Sequence, residues 1–169
     1  DPFNYNKLGA VYIQKARETG DVAFYELGEN ALKKSLDLRP NTSLATSATV
    51  QLAAVYLAKH QFKDALNYAQ KAAAIGTGDL YPYALIGDAY IELGQYEKAG
   101  DAYSKMLGLS GPLHPHSRLS YLQFLKGDTG AALEHMRSAV KAAVESNSPV
   151  ENIAWSRVQL GELFFHVGD

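Results

Sequence analysis

The chain has 169 residues, of which 47% are apolar and 20% are charged, so it has enough apolar side chains for a core and is not expected to be disordered. Its 16 Lys and Arg residues against 18 Asp and Glu give a formal net charge of -2, which offers no electrostatic reason to expect binding to nucleic acid or to an acidic membrane. The sequence contains no cysteine, which excludes disulfides, thiolate metal ligands and cysteine nucleophiles.

The chain shows no sign of a membrane segment. No apolar run approaches the roughly 20 residues that are needed to span a bilayer, and the first residues, Asp1 to Lys7, lack the basic start and apolar middle of a signal peptide. We therefore expect no membrane insertion. The compartment stays undetermined, with the cytoplasm slightly favoured.

Helical periodicity runs through the chain and is interrupted by turn-forming residues, among them Gly20, Gly94 and Gly127 and the segments 39–41, 76–78 and 110–112. The helices between them alternate in character. Ser43 to Ala58 contains no charged residue, whereas the next helix carries Lys63 and Asp64 opposite a stripe of alanines, so the first kind must be covered and the second can face water. This pattern predicts nine helices, at residues 3–19, 22–38, 43–59, 62–75, 80–93, 96–109, 113–126, 129–146 and 150–167.

A short motif recurs along the chain: Leu or Ile, then Gly or Ala, then Tyr three residues further on. It occurs at Leu8-Gly9-Tyr12, at Leu52-Ala53-Tyr56 and at Ile86-Gly87-Tyr90, and the second and third occurrences are 34 residues apart. Weaker copies begin at Leu119, where Gln123 replaces the tyrosine, and at Leu160. A fixed period of this length is typical of helical repeats.

This order and period resemble the tetratricopeptide repeat family, in which each unit is a pair of antiparallel helices. The resemblance implies an all-α protein, a right-handed α-α superhelix (solenoid) of about four and a half helix-turn-helix repeats. We expect units at about 1–42, 43–79, 80–112 and 113–148, followed by a half unit at 149–169, in a single array that is part of a longer chain.

Small residues at the motif positions are expected where helix axes approach to about 8–10 Å, too close for a large side chain. They lie on the first and second helices of the predicted units: Gly9, Ala53, Gly87, Gly161, Ala65, Ala99 and Ala132.

The sequence offers little for catalysis. The Gly76-Thr77-Gly78 segment lacks the Lys-Ser/Thr that follows a phosphate-binding loop. His114-Pro115-His116 is either a surface turn or a metal site, and the lack of further ligands at suitable spacing favours the turn. His60, His135 and His166 are isolated in the sequence. We predict no enzyme activity, no cofactor and no metal site.

The resemblance implies that the first helices line a concave groove that binds a segment of another protein. Counting along each first helix from the motif residue gives the predicted peptide-binding residues: Val50, Ala54, Leu57, Tyr81, Ala84, Asp88, Ile91, Ser117, Arg118, Tyr121, Phe124, Trp155 and Glu162. The same count adds Phe3, Asn6, Ala10, Ile13, Ser47, His114, Val158 and Phe165. Each aromatic ring of this set either meets a ligand or packs on a neighbouring helix.

The predicted function is a protein-protein interaction scaffold whose partner is another protein or peptide. The positions where co-chaperones of the family carry a carboxylate clamp hold Asn6 and Ala10, Val50 and Ala54, and Ala84 and Asp88, none of which is a cation. An apolar or aromatic segment with a basic residue is therefore the better match, because Asp88 and Glu162 add negative charge.

Two other functions are compatible with helical repeats. One is self-association through the ends of the array, since a half unit at the C-terminus would leave Leu163, Phe164 and Val167 partly uncovered and open to another copy. The other is RNA binding by a helical repeat, which needs a basic inner face that this chain lacks. No nucleic-acid partner is therefore expected.

Overall fold

The computed structural model describes residues 1–38, 40, 43–75, 78–109 and 113–168. Within these ranges the chain is all-α and has no strand, and the predicted number and order of helices are confirmed. Three of the predicted turns, at 39–41, 76–78 and 110–112, lie wholly or partly outside the described residues. The helices are α1 (Pro2–Thr19), α2 (Ala23–Leu38), α3 (Ser43–Ala58), α4 (Phe62–Ala74), α5 (Tyr81–Glu92), α6 (Tyr96–Leu107), α7 (Leu113–Leu125), α8 (Thr129–Glu145) and α9 (Val150–Val167).

Four of the turns between helices share one hydrogen-bonding pattern. In each, a backbone N–H donates to the carbonyl five residues back: Gln61 to Tyr56 at 2.8 Å, Gln95 to Tyr90 at 2.8 Å, Asp128 to Gln123 at 2.9 Å and Ser148 to Ala143 at 3.0 Å. The residue before each donor has positive φ, which is 69° at Gly94, 82° at Gly127 and 56° at both His60 and Asn147. Because a backbone carbonyl is the acceptor, the turn after α7 forms although Gln123 stands where the motif has tyrosine.

The chain divides into two compact units, Asp1–Gln95 and Tyr96–Asp169. The first contains α1 to α5 and is organised around α3, which contacts the other four helices of the unit. This arrangement covers the helix that carries no charged residue, as its composition requires. The core of the first unit consists of Ile13, Leu32, Ala48, Leu52, Val55, Tyr56, Ala65 and Ala89.

Gly9 shows why a small residue occupies the motif position on α1. A Cβ at Gly9 would lie 2.5 Å from Cγ of Leu32 on α2, and Leu32 is completely buried. The predicted close approach of α1 and α2 is therefore present, and it depends on the missing side chain.

The second unit contains α6 to α9, with α7 packed on α6 and α8, and α8 packed on α9. Ser120 takes the motif position on α7, and its Oγ donates a 2.7 Å hydrogen bond to the carbonyl of Ala132 on α8. A buried hydroxyl is thereby satisfied at a helix contact. The core of this unit consists of Leu113, Ala132, Met136, Ala139, Ala142, Ala143 and Leu163.

Two expectations for α9 were wrong. Leu163, expected to be partly uncovered, is buried in the core of the second unit, while Phe164 and Val167 are half-buried. Gly161, expected at a close helix approach, has no heavy atom of another helix within 4 Å of a Cβ placed on it, as far as the described residues go. The reason is the same in both cases, since α8 covers only the Leu163 side of α9.

Candidate protein-binding surface

The first helices of the predicted units are α1, α3, α5, α7 and α9, and we call their solvent-facing side chains the first-helix surface. In the first unit, α3 contacts both α1 and α5, which brings three first helices together.

On α3, Val50, Ala54 and Leu57 are half-buried, and Ser47 is exposed. These residues are spaced three and four apart and therefore share one face of the helix. The predicted face of α3 thus reaches solvent, although its aliphatic side chains are partly covered.

On α5 the predicted residues differ in exposure. Tyr81 is exposed, Asp88 and Ile91 are half-buried, and Ala84 is only 1% exposed. Ala84 therefore has almost no surface to offer a ligand, whereas the Tyr81 ring has.

On α1 the count along the helix misplaced two side chains. Ile13 belongs to the core, and Asn6 is buried, with its Nδ2 donating to the carbonyl of Leu44 at 3.1 Å. Oδ1 of Asn6 accepts a 3.0 Å hydrogen bond from Nε2 of Gln51. Asn6 therefore ties α1 to α3 instead of facing a ligand. Phe3 is exposed, and the Lys7 amine lies 4.5 Å from the centre of its ring.

Sequence reasoning missed a cavity in the first unit. It has a volume of about 480 Å³ and lies between α3 and the segment before α5. Ser47 and Val50 are the predicted residues among the described ones that line it, and the other side chains that face it could not be found by looking for aromatic rings. The described lining residues are Ser43, Thr46, Ser47, Val50, Gln51, Gly78 and Asp79.

In the second unit, three of the residues predicted for the open face of α7 reach solvent, and Ser117 does not. Ser117 is buried, and its Oγ donates to the carbonyl of His114 at 3.0 Å. His114 and Tyr121 are exposed and Arg118 is half-buried, at the spacing of one helix face. Tyr121 is 53% exposed, so about half of its large side chain is open to a ligand.

All four residues predicted for α9 reach solvent. Trp155, Val158 and Phe165 are 48%, 56% and 81% exposed, and Glu162 is exposed with Oε2 accepting a 2.7 Å hydrogen bond from Nε2 of Gln159. The face is therefore largely apolar. Phe124 of α7 is half-buried, and its ring lies 5.7 Å from the ring of His166 on α9, so this aromatic residue packs on the neighbouring first helix.

The strongest charge cluster of the first unit lies away from this surface. The buried Glu29 carboxylate on α2 accepts hydrogen bonds from Lys33 at 2.7 Å, Lys59 at 2.6 Å and the Tyr56 hydroxyl at 2.9 Å. Burial acts to raise the pKa of Glu29, but the three donors outweigh it and lower the pKa to about 2. Burial raises the pKa of Tyr56 to about 12. The cluster joins α2 to α3 and has the character of a structural ion pair.

Two histidines expected to be unrelated form a pair in the second unit. His116, expected in a surface turn, lies within α7, and its Nδ1 is 3.0 Å from Nδ1 of His135 on α8. Burial lowers the pKa of both rings, helped at His116 by the nearness of His135 and opposed at His135 by the charge of Glu134. One ring donates and the other accepts, so the pair serves as a hydrogen bond between helices. In the described part of the chain, no group of three or more His, Cys, Asp or Glu is placed to hold a metal ion.

Comparisons with known proteins agree with this architecture. A tetratricopeptide repeat family model matches residues 80–111. Among solved structures, MamA (41-end) from Desulfovibrio magneticus RS-1 is 28% identical with a TM-score of 0.71, over 88% of this chain and 78% of that one. PilF of Pseudomonas aeruginosa is 18% identical with a TM-score of 0.74, over 98% and 68%. A chain of the APC/C hetero-tetramer Cut9-Hcn1 is 17% identical with a TM-score of 0.71, over 96% and 34%. No curated protein matches the sequence.

The helices and these similarities define the class as an all-α helical-repeat protein. Within it, residues 80–111 are a tetratricopeptide repeat, so the resemblance drawn from the motif is confirmed. This repeat fold is in general that of a protein-interaction scaffold. Among the described helices, none combines the length and the apolar character needed to cross a lipid bilayer.

Proposed function

We propose that the chain is a protein-interaction scaffold that binds a segment of another protein along its first-helix surface. The proposal rests on the exposure of two large side chains, Tyr121 on α7 and Trp155 on α9. About half of each is open to solvent. Tyr and Trp offer large contact area with few rotatable bonds, and they are enriched among the residues that dominate binding energy.

The chemistry of the surface favours an apolar or aromatic segment. In the second unit, Val158 and Phe165 extend the apolar area beside Trp155, and in the first unit Tyr81, Val50 and Leu57 offer smaller contacts. The proposed surface also includes smaller aliphatic and charged side chains, which would contact the segment beside the aromatic rings: Ala54, Asp88, Ile91, Arg118 and Glu162. In this proposal the chain has no enzymatic activity and uses no cofactor.

The similarity to a chain of the Cut9-Hcn1 hetero-tetramer adds modest support, because that assembly contains a second protein. Its 17% identity supports the fold, and the identity of any partner of the present chain does not follow from it.

Peptide selection followed by titration tests the proposal. A segment selected from a displayed peptide library would be titrated against the Tyr121→Ala/Trp155→Ala variant, and we expect affinity to fall at least about tenfold, as for loss of interface hot spots. The control is Leu107→Ala/Val144→Ala, which removes exposed apolar side chains from the second helices α6 and α8. Equal affinity of both variants and the unchanged protein would remove the first-helix surface from consideration.

A second candidate function is self-association, and one observation favours it. Val150, Ala154, Val158, Gly161 and Phe165 are all exposed and follow one face of α9 at helical spacing. Gly161 lies in the middle of this stripe, and among the described residues no helix packs on it, whereas the equivalent Gly9 is covered by Leu32. Light scattering over a concentration series tests this candidate, with Val158→Glu as the variant expected to abolish any dimer. A monomer at every concentration would rule it out.

A further inference from the structure

The exposed face of α9 has the residue spacing of a coiled coil. In a coiled coil the contact between two helices is made by the a and d positions of a seven-residue repeat labelled a to g. Four exposed residues of α9 follow each other at intervals of four, three and four, as successive d, a, d and a positions do: Ala154, Val158, Gly161 and Phe165. We call these four residues the α9 seam.

The opposite face of α9 packs inside its own unit. Ser156 and Leu163 occupy the f positions, which lie opposite the seam, and both are buried. Leu163 belongs to the core that α8 lines, and Ile153 and Leu160 pack against that core. A partner can therefore reach the α9 seam without displacing any contact of the second unit.

Large and small side chains alternate along the α9 seam. The a positions hold Val158 and Phe165, and the d positions hold Ala154 and Gly161. In a parallel pair of helices, each a side chain enters a hole of the partner helix whose walls include neighbouring d residues. Small residues at d widen these holes, so that the Phe165 ring of one copy can lie over Gly161 of the other.

The charges beside the α9 seam favour one direction of pairing. Arg157 occupies a g position and Glu162 an e position, and both are exposed. In a parallel, in-register pair, a g residue faces the e residue five positions further along the partner helix, so Arg157 meets the partner's Glu162 on both sides of the seam. In an antiparallel pair, g faces g and e faces e, which would bring like charges together.

The preceding g and e positions are consistent with the parallel arrangement. They hold Val150 and Trp155, two exposed apolar residues that are also five positions apart. A parallel pair therefore joins an apolar side chain to an apolar one here and opposite charges at Arg157 and Glu162. Glu151 holds the a position before Ala154, and its charge limits the seam at this end.

We propose that a second copy of this chain packs on the α9 seam, so that two α9 helices form a short parallel coiled coil about a two-fold axis. The inference rests on self-association, the second candidate function above, and gives it an interface and a direction. A two-fold interface must be complementary to itself, because each copy supplies both halves of every contact. The α9 seam meets this requirement in the size of its side chains and in the charges beside it.

Charge reversal tests the pairing of Arg157 with Glu162. Light scattering of the full chain from about 1 µM to about 1 mM should show a monomer–dimer equilibrium, since two heptads form a small interface. Arg157→Glu makes two pairs repulsive, and we expect the dissociation constant of the dimer to rise about tenfold at low salt. The double variant Arg157→Glu/Glu162→Arg exchanges the two charges and should restore it. Lys141→Glu, which reverses an exposed charge on α8, is the control and should leave it unchanged.

A disulfide tests the direction of the helices independently. The chain contains no cysteine, so Ala154→Cys introduces a single thiol. A d position of a parallel pair lies opposite the same position of the partner, close enough for a disulfide. Mild oxidation should therefore yield a covalent dimer of Ala154→Cys. The control His166→Cys places the thiol at an exposed position of α9 outside the seam and should yield much less of it.

The possible results separate the proposal from the functions it builds on. A monomer at every concentration would overturn it together with self-association, and would leave the α9 seam to another helix or to a bound segment. A dimer that is insensitive to Arg157→Glu, or that Ala154→Cys does not cross-link, would overturn the parallel coiled coil alone. The peptide titration of the Tyr121→Ala/Trp155→Ala variant tests segment binding separately.

Discussion

The Nδ1 atoms of His116 on α7 and His135 on α8 lie 3.0 Å apart, with their rings tilted by 35° and their centres 5.2 Å apart. At this distance one nitrogen must carry a hydrogen and the other must accept it. A further proton on the acceptor would turn it into a second donor that faces the first, and a proton on each ring would place two positive charges side by side.

The histidine pair predicts that acid destabilises the second unit. The folded pKa of each ring is lowered by burial from the ordinary 6.5, so the unfolded chain binds protons more tightly than the folded one. The stabilisation is therefore complete well above pH 6.5 and is lost as the pH falls below it. Urea unfolding at about pH 7.5 and about pH 5.5 measures this loss, which should be smaller in His135→Gln. The exposed His114→Gln on α7 is the control, and an identical acid response in all three proteins would contradict the prediction.

Glu29→Gln should destabilise the first unit. The pKa of Glu29 is lowered from 4.5 to about 2, which corresponds to about 3 kcal/mol of stabilisation of the folded state at pH values above 4.5. This stabilisation is lost as the pH falls from 4.5 to below about 2. Neutralising the carboxylate also leaves Lys59, which is only 25% exposed, without its charge partner. We expect a loss of about 2–3 kcal/mol in the free energy of unfolding at neutral pH. The exposed Glu26→Gln on the same helix should cost under about 0.5 kcal/mol, and similar losses for the two variants would show that the cluster contributes little.

Replacing a motif glycine by alanine should change the free energy of unfolding in opposite directions at Gly9 and at Gly161. Gly9→Ala places a methyl group 2.5 Å from the buried Leu32 side chain and should cost about 1–3 kcal/mol. Gly161→Ala adds a methyl group in open space on an exposed helix and should stabilise by about 0.5–1 kcal/mol. Thermal unfolding of both variants measures the difference. A loss of stability in Gly161→Ala would mean that something covers α9 in solution.

His60→Gly should stabilise the turn between α3 and α4. His60 adopts a φ of 56° at the turn position that Gly94 occupies after α5 and Gly127 occupies after α7. A residue with a side chain in this left-handed region costs about 1 kcal/mol relative to glycine. The gain is reduced by loss of the contact between the His60 and Phe62 rings, 5.6 Å apart, so we expect a net stabilisation of about 0.5 kcal/mol. Gly94→Ala is the reciprocal variant and should destabilise by about 1 kcal/mol. Urea unfolding measures the stability of both variants. If His60→Gly destabilises the protein and Gly94→Ala stabilises it, this account of the turn is wrong.

The candidate surface was predictable only in part. On α9 the count from the motif residue found four exposed side chains, Trp155, Val158, Glu162 and Phe165, because no described residue covers one face of the helix. On α1 and α7 the same count placed Asn6, Ile13 and Ser117 on the surface, although all three are buried. Counting assumes that every first helix has the same rotation, whereas the hydrogen bond from Asn6 to Leu44 and the core around Ile13 set the rotation of α1.

The sequence by itself determined the elements of this protein: the nine helices found within the described residues, their order, their ends to within two residues and the tetratricopeptide motif at residues 80–111. It could do so because periodicity and turn residues act over a few positions. Tertiary structure alone decided which side chains meet, such as Glu29 with Lys59 and His116 with His135, and which motif glycine is covered. These outcomes depend on residues far apart in the chain, whose contacts exist only after the helices have packed.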